Sequence, residues 1–596
     1  MRLPGPVVIA IVCAAWGAGR AQSRDGVQGQ APTKPATGAM MGRVTLAGSG
    51  QPFEGVRVTL NGAALRGTRS ALTDAEGQFL FTELPAGTYT VRGTMTGYVA
   101  GTYGQKAPGK QGTPIVLVDG QQLKNVSFEI GKGGVISGTV VDERNRPSIG
   151  TPVRAMRWLM QSGERVLSVA GTATTDDRGI YRIHSLMPGD YLVSAVPRNT
   201  SIEILTSADV AAQARLQELT AMGLAQPGAV GTAEPVEGYA AVFFPGTAQL
   251  TGAQAVRVGV AEEQLGIDFD LQRVGLATIT GHVITPPGVN PTTVQLRLTH
   301  PDGYAMGVGQ MSARPDQNGS FTFRTVTPGQ DVLVASATIA PPRPTPLTPG
   351  VANFGPARNA QQRLWAQADL YVDGGQPLNV GLTMQEGVQV SGQFTFDGAL
   401  PLPPKMESVR VTLNPLGQPL QSMGLGTWTA QADATERFTL HGVVPGRYRF
   451  GASGAQAWQI KSVLANGVDV LDFPFIVEPG AQVPSVTIQF GDKSTELKGT
   501  LTGSDGSPTS DYSVVVFPDD QRYWIPHARR MRSTRPATDG TFSTTGLPPG
   551  EYRIAAVTDV ETGEWLNPDF LRELVPASIS FRLADGRPAT QDIRVR

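Results

Sequence analysis

Thiols are all but missing from this chain, with one cysteine, Cys13, in 596 residues. It lies within an N-terminal run that reads as an export signal, so the mature chain is expected to carry no thiol. Such a chain is held by burial and sheet hydrogen bonds alone, without disulfides. Histidine is nearly as scarce. His184, His282, His300, His441 and His527 stand apart, with no His or Glu at zinc-ligand spacing. Neither a Gly-x-Ser-x-Gly elbow nor a phosphate-binding Gly-rich loop occurs. Net charge is close to zero, −1 from 49 basic residues against 50 acidic ones, which excludes a global field that would draw nucleic acid or an anionic membrane.

Long apolar runs are also lacking. The longest begins at Val7-Val8-Ile9-Ala10-Ile11-Val12 and spans about a dozen residues, short of the ~20 that a membrane-crossing helix needs. With Arg2 before it and Gly19-Arg20-Ala21 after it, the segment is expected to be a signal peptide, residues 1–21, cleaved after Ala21. The chain is therefore expected to be exported, to the periplasm or beyond, with no transmembrane segment once mature. Residues 22–38 show no periodicity and read as a disordered linker.

What the chain has in excess is Gly, 72 residues, and Pro, 46, which favours many short strands joined by turns. These are ordered by one recurring stretch, seen at Thr175-Asp-Asp-Arg-Gly-Ile-Tyr-Arg-Ile-His-Ser-Leu-Met-Pro-Gly-Asp-Tyr-Leu-Val-Ser194. A polar turn leads into an alternating strand, a Pro-Gly turn and a second strand. The interval from turn glycine to second-turn glycine is 10 residues at 77 to 87, 179 to 189, 319 to 329 and 540 to 550, and Glu436 precedes Gly446 by the same 10. The second glycines are separated by 102, 140, 117 and 104 residues, too far for a solenoid. Each unit can bury its own core, which suggests beads on a string. The aromatic two residues past the turn (Phe79, Tyr181, Phe321, Phe438, Phe542) and its partner two residues on mark one buried face. Tyr89, Tyr191, Tyr448 and Tyr552 re-enter the sheet after the second turn, where the third copy has Asp331.

The pattern Ser-Gly-Thr-Val…Asp-x-x-Gly-x-Tyr…Leu-x-Pro-Gly-x-Tyr-x-Val resembles carboxypeptidase regulatory-like domains, relatives of Cna protein B-type repeats. Modules one, two and five match it well, three and four loosely. The resemblance implies an all-β chain of five tandem Ig-like, prealbumin-like (transthyretin-like) β-sandwiches within the carbohydrate-binding-like fold. The expected modules are 39–132, 133–273, 274–386, 387–493 and 494–596. An insertion at 197–240 in the second holds a short helix over Ser207–Met222. The family name brings no peptidase with it, since zinc ligands are missing. Cna-type modules can carry a lysine–asparagine isopeptide bond, for which Lys124, Asn125 and Lys132 are the nearest candidates, without an identifiable carboxylate.

No cofactor or metal is expected. Asp176-Asp177, Asp519-Asp520 and Asp74 with Glu76 read as turns, since calcium takes 6–8 oxygens. One loop stands out. Between Gln521 and Arg535 it combines two aromatics with five arginines, and Arg522, Tyr523, Trp524, Arg529 and Arg530 form a candidate ligand-binding loop, aromatic faces stacking on sugars and arginine forks taking anions. The expectation is a non-enzymatic, multi-module binding or adhesion scaffold with a carbohydrate or cell-surface protein as partner and no nucleic acid. The alternative is a spacer or assembly module with no small ligand. Trp524 decides between them: exposed beside a groove it favours carbohydrate, buried it favours the scaffold.

Overall fold

The computed structural model describes residues 37–197, 237–299, 311–339, 362–403, 405–417, 426–480, 483, 485–558 and 560–595. The expected signal segment, most of the expected linker, the expected helix over Ser207–Met222 and the proline-rich stretch at 341–349 lie outside them. Strands dominate, and Pro568–Leu574 is the one α-helix among the described residues.

Each module is two facing sheets built the same way. In the first, strand Gly38–Leu46 lies between Gln78–Leu84, antiparallel to it, and Phe128–Lys132, parallel to it. The facing sheet centres on Arg57–Gly62, between Arg69–Leu72 and Gly87–Thr94. The plan returns with Gly134–Val141, Ala277–Ile284, Val388–Asp397 and Glu496–Thr502 as first strands, each pairing in parallel with a strand near its module's end. Alternation selects the buried face. Phe79, Phe81 and Leu84 face inward from Gln78–Leu84 while Leu80 faces out. Tyr181, Ile183 and Leu186 do the same in the second module. At about 1.5–3 kcal/mol for each large apolar side chain buried, such triplets are the main source of each core's stability. Five main cores result, spanning Met40–Ile130, Ile136–Leu271, Ala277–Met384, Val390–Phe490 and Leu497–Ile593, the fourth also taking in Val334 from the third module.

The glycine of the first strand has a steric cause. Gly42, Gly138, Gly281, Gly392 and Gly499 stand directly across from Phe79, Tyr181, Phe321, Phe438 and Phe542. A Cβ on any of them would lie 1.8–2.2 Å from a carbonyl oxygen of the chain running alongside, at Val126, Ile267, Val380, Val486 and Gln591. In four of the five it would also meet the aromatic ring opposite.

The turns behave as their residues require. Asp74, Asp176, Asp316 and Asp433 each accept the backbone N–H four residues on, closing the turn. In the fifth module Ala537 takes that position and Asp539 instead accepts from Thr541 N at 3.0 Å. Tyr89, Tyr191, Tyr448 and Tyr552 each donate a hydroxyl to the carbonyl four residues back, at 2.5–2.7 Å. Asp331, in the third module, is buried at the same place.

The modules are not independent beads. Arg363 of the third lays its guanidinium 4.7 Å above the Trp428 ring of the fourth. The fifth touches three others, through the loop described next. Each module has a core of its own, but the loops between strands are long enough to reach neighbours.

Candidate functional site

The arginine-rich loop leaves a strand that is apolar on both faces. All six residues of Ser513–Pro518 are buried. Val514 and Val516 enter the sandwich core, while Val515 and Phe517 point outward into a second apolar cluster with Trp524, Ala528, Met531, Val560 and Leu571. A strand covered on one side only would alternate, so this one needs an outer cover. The loop and the helix Pro568–Leu574 supply it. Asn567 caps that helix by accepting from Asp569 N, Pro568 occupies its first turn, and Leu571 is its buried contact.

Trp524 therefore packs inward, at 4% exposure. Its indole N–H donates to Pro518 O at 2.8 Å and its ring meets Phe517 edge-on, centroids 5.8 Å apart. Arg522, on the same loop, is exposed and its guanidinium folds back on Asp520, with Nη2–Oδ2 at 2.6 Å. Tyr523 reaches the fourth module, its ring 5.4 Å from that of Phe473, and the Arg530 guanidinium lies 4.3 Å from the centre of the Tyr523 ring.

Arg529 and Arg530 close on one acid. Asp472 of the fourth module, only 3% exposed at its side chain, accepts from Arg529 Nε at 2.9 Å and from Arg530 Nε at 2.8 Å. Arg529 also donates to the carbonyls of Ile460 and Lys461, and Arg530 to that of Pro549. Each arginine gives Asp472 one N–H, one to each carboxylate oxygen, so the triad is held by two charge-assisted hydrogen bonds that offset the cost of burying the charges. Burial pushes the Tyr552 phenol up to about 12, against the pull of Arg530 beside it. Lys461 adds a bridge to Asp585 of the fifth module at 3.0 Å.

The rest of the loop goes elsewhere. His527 N donates to Ser162 O of the second module at 2.5 Å. Burial lowers the His527 pKa against the opposing pull of Glu164, whose carboxylate lies 3.8 Å from Nε2. Arg535 donates to Gln111 O at 2.6 Å and Gly104 O at 2.9 Å in the first module, and to Ser510 O in its own. Thr538 exchanges hydrogen bonds with Pro114 O and Val116 N, and Lys106 pairs with Asp511. One segment of about twenty residues thus joins the fifth module to the first, second and fourth.

Of the five residues singled out from sequence, Tyr523, Arg529 and Arg530 gather at one module junction, Trp524 lies beneath it, and Arg522 points away. Sequence reading missed Asp472 and Arg449, the latter beside Arg529 in the wall of one cleft, and it counted Arg535 in the loop without its partners. An aspartate set within Val470-Leu471-Asp472-Phe473 is a signal of a buried, paired acid. Lys124, Asn125 and Lys132 are all exposed, outside the dry surroundings an isopeptide bond requires. Among the described residues no group of three or more His, Cys, Asp or Glu could hold a metal ion.

Residues 39–129 match the family described as the carboxypeptidase regulatory-like domain. No curated protein matches the chain. Among solved structures, the Bacillus anthracis TIE protein is 9% identical, covering 84% of this chain and 72% of its own, at a TM-score of 0.14. The minor pilin GBS52 of Streptococcus agalactiae is 13% identical over 40% of this chain and 97% of its own, TM-score 0.21. A putative carbohydrate-binding protein from Pseudomonas aeruginosa is 17% identical over 19% of this chain and 90% of its own, TM-score 0.14. Scores this low carry no functional likeness. Over the described residues the chain is an all-β array of five sandwiches, and residues 39–129 match the carboxypeptidase regulatory-like domain family.

Proposed function

We propose that the chain is an exported, non-enzymatic scaffold whose modules are packed into a fixed arrangement by the fifth. The observation that carries this reading is the 519–538 segment, with its bonds to Asp472, Ser162, Gln111 and Gly104. Burial of Trp524 supports it over sugar stacking at this loop, because a ring at 4% exposure offers no face to a ligand. Export rests on the signal-like N-terminus. Small-angle scattering tests the reading. A compact body of this length has a radius of gyration of about 25 Å, and a string of separated modules well over that. A value near the compact figure that rises in Arg535→Ala/Asp472→Ala is the expected result; an extended wild-type particle refutes the fixed arrangement.

A second reading, binding of a carbohydrate or cell-surface protein, is favoured by one surface. Trp158, 39% exposed, stands on the hairpin of Pro152–Gln161 and Glu164–Thr174, on the same face as exposed Val169, with Arg165 4.8 Å from its ring. Glycan-array signal lost in Trp158→Ala supports it, and an array blank for the wild type removes it.

A further inference from the structure

We infer that the cleft between the second, fourth and fifth modules is an oxyanion site, where Arg449 and Arg532 take the carboxylate, phosphate or sulfate group of a small molecule. The cleft measures about 350 Å³ and is lined by Arg449, Arg529, Arg532, His527, Ser533 and Trp565, among others. That volume sits at the lower end of small-molecule sites, enough for a single ring bearing an acid.

Charge is the first ground. Among the described residues no acidic side chain lines the cleft, Glu164 standing behind His527. The nearest buried carboxylate, Asp472, is already shared by Arg529 and Arg530. Among the described residues the Arg449 guanidinium makes no hydrogen bond or ion pair, and that of Arg532 donates only to its neighbour's carbonyl, Met531 O, at 3.3 Å. Four guanidiniums thus stand around one carboxylate. Burial lowers the pKa of both Arg449 and Arg532, and the positive charge of Arg529 deepens each effect. Arginine keeps its proton regardless, so the mismatch is relieved by a counter-anion rather than by deprotonation.

Unused polar atoms are the second ground. Ser533 Oγ is buried without a hydrogen-bond partner, and so is His527 Nε2, whose nearest acceptor, the Glu164 carboxylate, stands 3.8 Å away. Both residues line this cleft. Buried polar atoms are ordinarily satisfied, and an oxyanion entering here would accept from the serine hydroxyl and from the ring when it carries its proton on Nε2. Trp565 provides an apolar wall for the body that carries the acid. A planar fork on each of two arginines is the arrangement that reads carboxylate or phosphate in a bidentate manner.

The test uses the full exported chain and three probes, inorganic phosphate, sulfate and glucuronate, at ionic strength held constant with chloride. At least one probe is expected to bind by calorimetry and to raise the melting temperature. Arg449→Gln/Arg532→Gln should weaken that binding at least tenfold, whereas Arg522→Gln, whose partner is Asp520, should leave it unchanged. Tighter glucuronate than phosphate assigns the site to an acidic sugar, and the reverse order to a phosphate ester. Without anion, Arg449→Gln should melt at or above the wild-type temperature, since it removes like-charge repulsion; a marked drop makes Arg449 structural and overturns the inference. So does the absence of any response beyond that to chloride. The cleft rests on the same packing of the fifth module as the scaffold reading. A compact particle that binds no anion refutes this inference alone, and an extended particle refutes both.

Discussion

Asp472 and Arg530 meet at 2.8 Å across the boundary between the fourth and fifth cores, with Arg529 on the other carboxylate oxygen. Removing the acid leaves two guanidiniums largely buried without their counter-charge. Asp472→Asn is expected to cost about 3 kcal/mol, since breaking a buried pair from one side exposes the full desolvation penalty. Chemical denaturation measures it. Substituting Asp472 and both arginines together by apolar residues of similar volume should recover most of the loss, which separates the penalty of an orphaned charge from the worth of the triad.

Gly499→Ala should destabilise the fifth module by about 3 kcal/mol or more, because the new methyl would lie 2.0 Å from Gln591 O and 2.5 Å from the Phe542 ring. Hydrogen exchange is the suitable readout. Protection should fall across Glu496–Thr502 and Thr541–Thr545 while the first module keeps its own.

Glu436 occupies the left-handed region, φ 59°, at the turn position that is glycine in the other four modules. Glu436→Gly should therefore stabilise the fourth module by about 0.5–1 kcal/mol, the strain relieved exceeding the entropy that glycine adds to the unfolded chain. A melting temperature lower than wild type contradicts this.

Acid should loosen the turns. Backbone N–H groups, those of Ile180 and Arg437 foremost, hold the carboxyls of Asp176 and Asp433 below the ordinary carboxylate range. A folded-state pKa below the unfolded one means that the unfolded chain binds more protons. The contribution is complete above the ordinary pKa, near 4, and is lost as pH falls through the lowered one. Urea unfolding from pH 6 to 2 should show a flatter decline for Asp433→Asn than for wild type. His527 behaves in the opposite charge sense but the same direction: its pKa is lowered by burial, so protonation favours release as pH falls below about 6.5.

Local chemistry was legible in the sequence, and distant partners were not. The alternation of Phe79 and Phe81, the Asp176 turn and the Tyr191 return can each be read within twenty residues, because cause and effect are neighbours in the chain. The glycine of Ser137-Gly138-Thr139 was visible as a pattern, yet its reason is the Ile267 carbonyl, 129 residues further on. The sequence leaves Trp524 open between an exposed stacking face and a buried ring. Its burial follows from Val515 and Phe517, whose outward face needs a cover, and the unbroken Val514-Val515-Val516-Phe517 run carried that signal. Arg529 and Arg535 look like ligand-seeking cations until Asp472 and the Gln111 carbonyl are placed beside them, and no local spacing places either.

The parallel pairing of first and last strands gives each module a direction along which it resists being pulled. The chain enters a module at one end of the first strand and leaves at the opposite end of its parallel neighbour, so tension on the termini slides the two past each other. The ladder bonds are then loaded together in shear instead of being peeled one by one. Six residue pairs share that load in the third module, Ile279–Ile284 against Leu378–Thr383, and six in the fourth, Gly392–Asp397 against Val486–Gly491. In the second and fifth it falls on two short two-pair ladders each. Under force these give way first, and the third and fourth modules are the strong links of the array.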